Sequence, residues 1–179
     1  EENDFSISFL KLSKILSNSE RPDFAGVDAN FFTGWDLAIF LQTLNGYAQG
    51  DVIFNTLRGL NLLQDHASYI AFFIAPLFRV FPTPNTLIIL QSAFLALGAY
   101  PLYKFSRLKL TPELSLAVAI FYLLLPTMQF INLADFHYFA LFPTLILYAF
   151  YYMAISAIKR LSVAIFFLLI LHELGGLVV

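Results

Sequence analysis

Long uncharged stretches separated by short charged clusters set the layout of this chain. Residues 80–103, 114–134 and 138–158 run 24, 21 and 21 residues without a charge, and about 20 apolar residues suffice for a helix to cross ~30 Å of hydrocarbon. Residues 161–171 form a run of 11 before His172 and Glu173 interrupt it, so a fourth crossing must carry that pair into the membrane or end at it. Residues 67–78 are uncharged over 12 positions, contain Pro76 and stop at Arg79. That length predicts an interfacial or re-entrant helix. Residues 5–16 place apolar positions at helical spacing around Lys11 and Lys14, as a surface-lying helix or the end of an earlier span would. LAIFLQTL after Trp35-Asp36 also repeats at helical spacing, and predicts a helix starting there.

The expected fold is therefore all-α, a multi-pass transmembrane helical bundle. Its spans fall at about 83–104, 113–134, 138–158 and 161–179, after a polar, amphipathic segment over 1–33 and an extracytoplasmic loop over 34–82 with interfacial helices. Composition agrees: 59% of residues are hydrophobic and 12% charged, with mean hydropathy +0.76, too apolar for a soluble surface. Nine of the twelve acids lie in the first 65 residues, leaving Glu113, Asp135 and Glu173 beyond. A net charge of −2 without a basic run excludes nucleic acid as a partner. The absence of cysteine excludes disulfides, thiolate metal sites and cysteine nucleophiles. The chain opens EENDFSIS, with neither initiator Met nor signal peptide, and ends LGGLVV inside an apolar run. A processed or truncated start and further protein beyond the end are expected.

Basic clusters orient the spans. Lys104, Arg107 and Lys109 follow the first long run, and Lys159 and Arg160 follow the third. Two crossings separate them, so both fall on the cytoplasmic side, and Asp65, His66, Asp135 and His137 fall together outside. This alternation requires that residues 67–78 do not cross.

Each of the three histidines has an acid within two positions: Asp65-His66, Asp135-Phe136-His137 and His172-Glu173. Ionisable groups near an apolar bundle are costly, about 2.5–3.5 kcal/mol for a central Asp, and are retained for a task. Carboxylate and imidazole ligands from separate helix ends could also enclose a divalent metal. Structural readings stand beside these: Asp65 could cap a helix starting near residue 67, Asp135 one starting near Tyr138, and Asp36 its own helix. Asn85 and Gln91 read as interhelical hydrogen-bonders. Among the aromatics, those beside the acids, such as Tyr138, are candidate ligand contacts.

The segments GWDLAIFLQTLNGYAQG, LLQDHASYIAFFIAPLFRVFPTPNTLIILQSAFLALGAYPLYKFSRL, LLLPTMQFINLADFHYFAL and LLILHELGGL occur in that order. Over roughly residues 34–179 the chain resembles a family of multi-pass membrane proteins common in archaea and grouped with the GT-C glycosyltransferases. The resemblance implies the N-terminal half of such an enzyme, which takes a sugar from a polyprenyl-phosphate donor at the outer face of the cell membrane. Asp36 occupies the place of the catalytic carboxylate in the first outer loop. Asp65, His66, Arg79, Tyr138, His172 and Glu173 fall where substrate would bind. Asp135 and His137 fall where some GT-C enzymes carry an acid-x-acid metal motif, here with His as second member. Where relatives have Lys-Glu-Asp, this chain has His172-Glu173-Leu174. Membrane lipid and a lipid-linked sugar are the expected partners. The alternative is a non-catalytic accessory subunit of a larger membrane complex, with other membrane subunits as partners. A transporter would fit intramembrane His and Glu, but no inverted repeat accompanies them.

Overall fold

The computed structural model of the chain describes residues 34–51, 54–66 and 68–171. The surface helix expected over 5–16, and the His172-Glu173 pair, lie outside the described residues. The chain is mostly helical. Helix α1 (Trp35–Gln49) starts after Gly34, whose φ of +119° is open to glycine but strained for other residues. A tight hairpin follows, β1 (Phe54–Asn55) and β2 (Leu60–Asn61), with Phe54 opposite Asn61 and Asn55 opposite Leu60. The sequence pattern did not predict these strands. Asn55 makes the turn: its Oδ1 accepts from the Leu57 and Arg58 amides at 3.0 and 3.1 Å, and Gly59 takes a left-handed φ of +72°. The Asn55 amide also donates to the Ile39 carbonyl and Thr43 Oγ1, which pins the hairpin to α1.

A single turn, α2 (Leu62–Asp65), leads to α3 (Ile70–Val80), which packs along α1 through Ala71, Ile74, Ala75 and Phe78. Near its start Phe72 stacks on Tyr47, with centroids 4.6 Å apart. Eleven residues rise only about 17 Å, so α3 is too short to cross hydrocarbon.

Helices α4 (Pro84–Leu97) and α5 (Ala99–Ser106) join at Gly98 into a 23-residue apolar helix. This Pro84–Ser106 helix begins at Pro84, a residue preorganised for the first helical position. A side chain at Gly98 would run into Thr144 and Tyr122, and both hydroxyls reach α4 carbonyls, Thr144 to Phe94 at 2.6 Å and Tyr122 to Leu95 at 3.1 Å. The uncharged stretch 114–134 forms two helices, α6 (Pro112–Leu124) and α7 (Pro126–Leu133), bent by 43°. Pro126 pushes Leu125 out of the helical region, to ψ 127°, and removes the amide that would continue the ladder. After an extended segment comes a 3-10 turn (Tyr138–Leu141), then α8 (Phe142–Ala154) and α9 (Ile158–Leu171). Among the described residues one helix is long and apolar enough to cross a membrane, or two if α6 and α7 form a single bent span.

Side-chain contacts give the helix directions. Thr144 meets Phe94, and Tyr148 lies near Tyr100, so α8 runs parallel to α4–α5. Tyr122 meets Leu95 while Ile131 meets Gln91, so α6–α7 runs antiparallel to them. The turns holding Lys104, Arg107, Lys109, Lys159 and Arg160 therefore share one end of the bundle, and residues 131–137 lie at the other. Gln91 and Ser106 are separated by 15 residues, about 22 Å along the helix. Leu44, Leu87, Phe136 and Leu171 are fully buried in the core, whereas Ile89, Phe121, Leu124 and Phe130 are exposed on the outer surface. Such a belt is stable against lipid and unfavourable against water.

Candidate polar site at the start of the first helix

Residues Asp135-Phe136-His137-Tyr138 alternate polar and aromatic, and around His137 (φ −138°, ψ 139°) the backbone is extended. Alternate side chains of an extended segment point to opposite faces. Phe136 and Tyr138 accordingly turn inward, 0% and 2% exposed, and meet Phe40 of α1 with centroids 5.5 and 4.5 Å apart. Asp135 and His137 turn toward the start of α1. Asp135 Oδ2 accepts the Gly34 amide at 2.6 Å, 101 residues away in sequence. His137 Nε2 lies 3.3 Å from Asp36 Oδ2, an ion pair when the imidazole is protonated. The Asp36 and His137 side chains are 43% and 44% exposed, so both are partly open at the surface.

The capping readings are answered differently by the structure. Asp36 stands in the first turn of α1, where its charge suits the helix dipole, but the N-cap position belongs to Gly34, so Asp36 does not cap the helix. His137, without a side-chain cap, precedes the 3-10 turn, so the Asp135 carboxylate serves the start of α1 instead. Tyr69 is the N-cap of α3, four positions beyond Asp65.

Gln91 holds the extended segment in place. It is 1% exposed in α4. Its Oε1 accepts the His137 amide at 3.1 Å, and its Nε2 donates to the Ile131 carbonyl at 3.1 Å and, more weakly, to Ala134 at 3.5 Å. Ser92 supports it through Asn132 at 2.7 Å. The sequence reading marked Gln91 as an interhelical hydrogen-bonder and did not connect it with the site; a glutamine inside an uncharged span was the available signal.

Asp65-His66 stands apart from this pair. Asp65 and His66 follow Asn61, whose Oδ1 accepts from the Tyr47 hydroxyl at 3.4 Å. Tyr47 lies eleven residues along α1 from Asp36, about 16 Å. Burial pushes the Tyr47 phenol above its ordinary value. Arg79 is exposed in the last turn of α3. The Tyr138 hydroxyl is buried without a hydrogen-bond partner. Among the described residues no three His, Asp or Glu side chains converge to hold a metal ion: His137 is engaged by Asp36, and Asp135 by Gly34.

A long apolar helix, an apolar outer surface and a polar pair at one end fit a helical membrane protein. The family model of the predicted membrane proteins DUF2079 matches residues 29–179, and the chain belongs to that family. As a membrane protein it is in contact with lipid. No curated protein and no solved structure matches the chain.

Proposed function

We propose that the chain is the N-terminal part of a GT-C-like glycosyltransferase with a multi-pass bundle, acting at the outer face of the cell membrane on a polyprenyl-phosphate-linked sugar. The observation that carries this reading is the Asp36–His137 pair, half exposed and 3.3 Å apart, at the end of the bundle opposite the basic turns. By the positive-inside rule those turns face the cytoplasm and the pair faces outward. The four spans expected from the sequence supply the bundle, and α3 lies along the surface, where Phe72, Phe73 and Leu77 are exposed to acyl chains.

In the proposed step an acceptor hydroxyl attacks the anomeric carbon. The new C–O bond forms as the bond to the phosphate oxygen breaks, the polyprenyl phosphate leaves with the electron pair, and the hydroxyl proton passes to an Asp36 oxygen. His137 keeps that carboxylate turned to the acceptor. Arg79, with His66 or His172 when protonated, offers positive charge to the departing phosphate, and Asp65 and Glu173 complete the substrate-binding set; Tyr138, buried against Phe40, is not part of it.

Asp36→Asn tests this directly. Asparagine keeps the shape of the side chain and removes the basic oxygen, so transfer from a polyprenyl-phosphate sugar should fall by at least about 10²-fold while insertion and helix content stay unchanged. Undiminished transfer would refute the catalytic assignment and favour the accessory-subunit reading.

A further inference from the structure

The end of the bundle remote from Asp36 has its own chemistry. Parallel packing of α5 and α8 brings together two turns that carry five cations. Glu113, in the first turn of α6, is the acid among the described residues there. Lys104 lies over the Tyr100 ring at 5.8 Å, and the Arg160 guanidinium over Tyr152 at 6.0 Å. Tyr152 in turn contacts Tyr148 and Tyr151, with centroids 5.6 and 5.5 Å away. Arg107, Lys109 and Lys159 are exposed. Between α5 and α6, beside Arg107, opens a cavity of about 320 Å³ lined by Tyr103, Pro112, Glu113 and Leu116.

Three properties coincide here: positive charge concentrated at one level, tyrosine rings just inside it, and exposed leucines such as Leu114 and Leu116 on the adjoining helix, 56% and 54% exposed. Tyrosines at headgroup depth and basic side chains with apolar stems match the layers of a phospholipid from phosphate to acyl chain. We propose that this end of the bundle binds anionic phospholipid headgroups. The cations take the phosphodiester and the net negative headgroup, the tyrosine rings pack at the glycerol level, and one acyl chain follows the exposed leucines of α6 past the cavity. Charge complementarity selects an anionic over a zwitterionic lipid. The proposal holds whether or not the chain transfers a sugar.

The test places the purified protein in nanodiscs of phosphatidylcholine and phosphatidylglycerol in equal parts and reads the retained lipids by native mass spectrometry. Phosphatidylglycerol should be enriched about tenfold at low salt, and the enrichment should fall severalfold between ~50 and ~500 mM salt as the Debye length shortens. It should disappear when Lys104, Arg107, Lys109, Lys159 and Arg160 are all changed to Gln, and persist in an Arg58→Gln control. Because the five substitutions also alter the charge that directs insertion, the salt series on the unaltered protein stands as a separate reading. Equal retention of the two lipids, salt-independent enrichment, or enrichment that survives the five substitutions would overturn the proposal.

Discussion

Replacing Gln91 with leucine tests whether the polar site is built by a side chain buried in the long helix. Leucine has nearly the same volume, so the effect is one of hydrogen bonding and not of a cavity. The substitution strips the acceptor from the His137 amide and the donor from the Ile131 carbonyl. Ile131 lies in the last turn of α7, where carbonyls have no partner within their own helix. Two such groups cost about 1–3 kcal/mol each, and burying the leucine returns about 1.5–3 kcal/mol. The middle of these ranges leaves a net loss of about 2 kcal/mol. Unfolding of the micellar protein by titration with a denaturing detergent, followed by far-ultraviolet circular dichroism, measures it. The chain has no cysteine, so an Asp36→Cys, His137→Cys pair joined by a short bifunctional thiol reagent reads the site geometry independently of activity. Cross-linking should slow at least about tenfold when Gln91→Leu is added, which corresponds to about 1.4 kcal/mol. A stability loss below about 0.5 kcal/mol, within the range of neutral substitutions, together with an unchanged cross-linking rate, would refute the role given to Gln91.

Cysteines at Ser106 and Asn132 should be labelled from opposite sides of the membrane, because α4–α5 separates their turns; labelling from one side would remove the proposed orientation. Gly98→Ala should cost about 1–3 kcal/mol by overpacking, since its methyl group would meet Thr144 Oγ1 at 2.8 Å and the Tyr122 hydroxyl closer still. Adding Tyr122→Phe should restore part of that loss in the same unfolding assay. The raised Tyr47 phenol favours the folded state below the ordinary tyrosine value of about 10, and the benefit is lost as pH climbs through the folded value. Thermal midpoints should thus fall more steeply above about pH 10 for the natural chain than for Tyr47→Phe.

The parts of the fold that follow from local chemistry could be read from the chain. An uncharged stretch of 24 residues has little choice but a long apolar helix, and Pro84–Ser106 is that helix. The length argument for α3 holds for the same reason. Counting charges is blind to backbone breaks, however. Residues 114–134 satisfy the count, yet Pro126 divides them into α6 and α7. Likewise the stretch over 138–158 opens with a 3-10 turn and leaves the helix at Ala154, before Ser156 takes a left-handed φ of +55°. The hairpin was missed because its strands are two residues each, too short for alternation to register, although Asn55 and Gly59 are turn-forming residues at turn spacing.

The site depends on contacts that no local pattern contains. That Asp135 and His137 would stand near a helix end was legible from their place between apolar runs. That the helix end is the start of α1 was not, because the Gly34–Asp135 hydrogen bond joins positions 101 residues apart. Capping arguments assign a carboxylate to the helix that follows it in sequence, and here the chain folds back so that the carboxylate serves the first described helix instead. The alternation of Asp135-Phe136-His137-Tyr138 was the clue within reach, since an extended approach to the turn at Tyr138 places alternate side chains on opposite faces. With Phe136 and Tyr138 committed to the core against Phe40, the two polar side chains are forced outward together, and Gln91 fixes the register at which they meet Asp36. The pair of exposed polar groups is thus held by buried aromatic packing on one side and a buried amide on the other, which is why substitutions in the core, and not only at Asp36 itself, should disturb it.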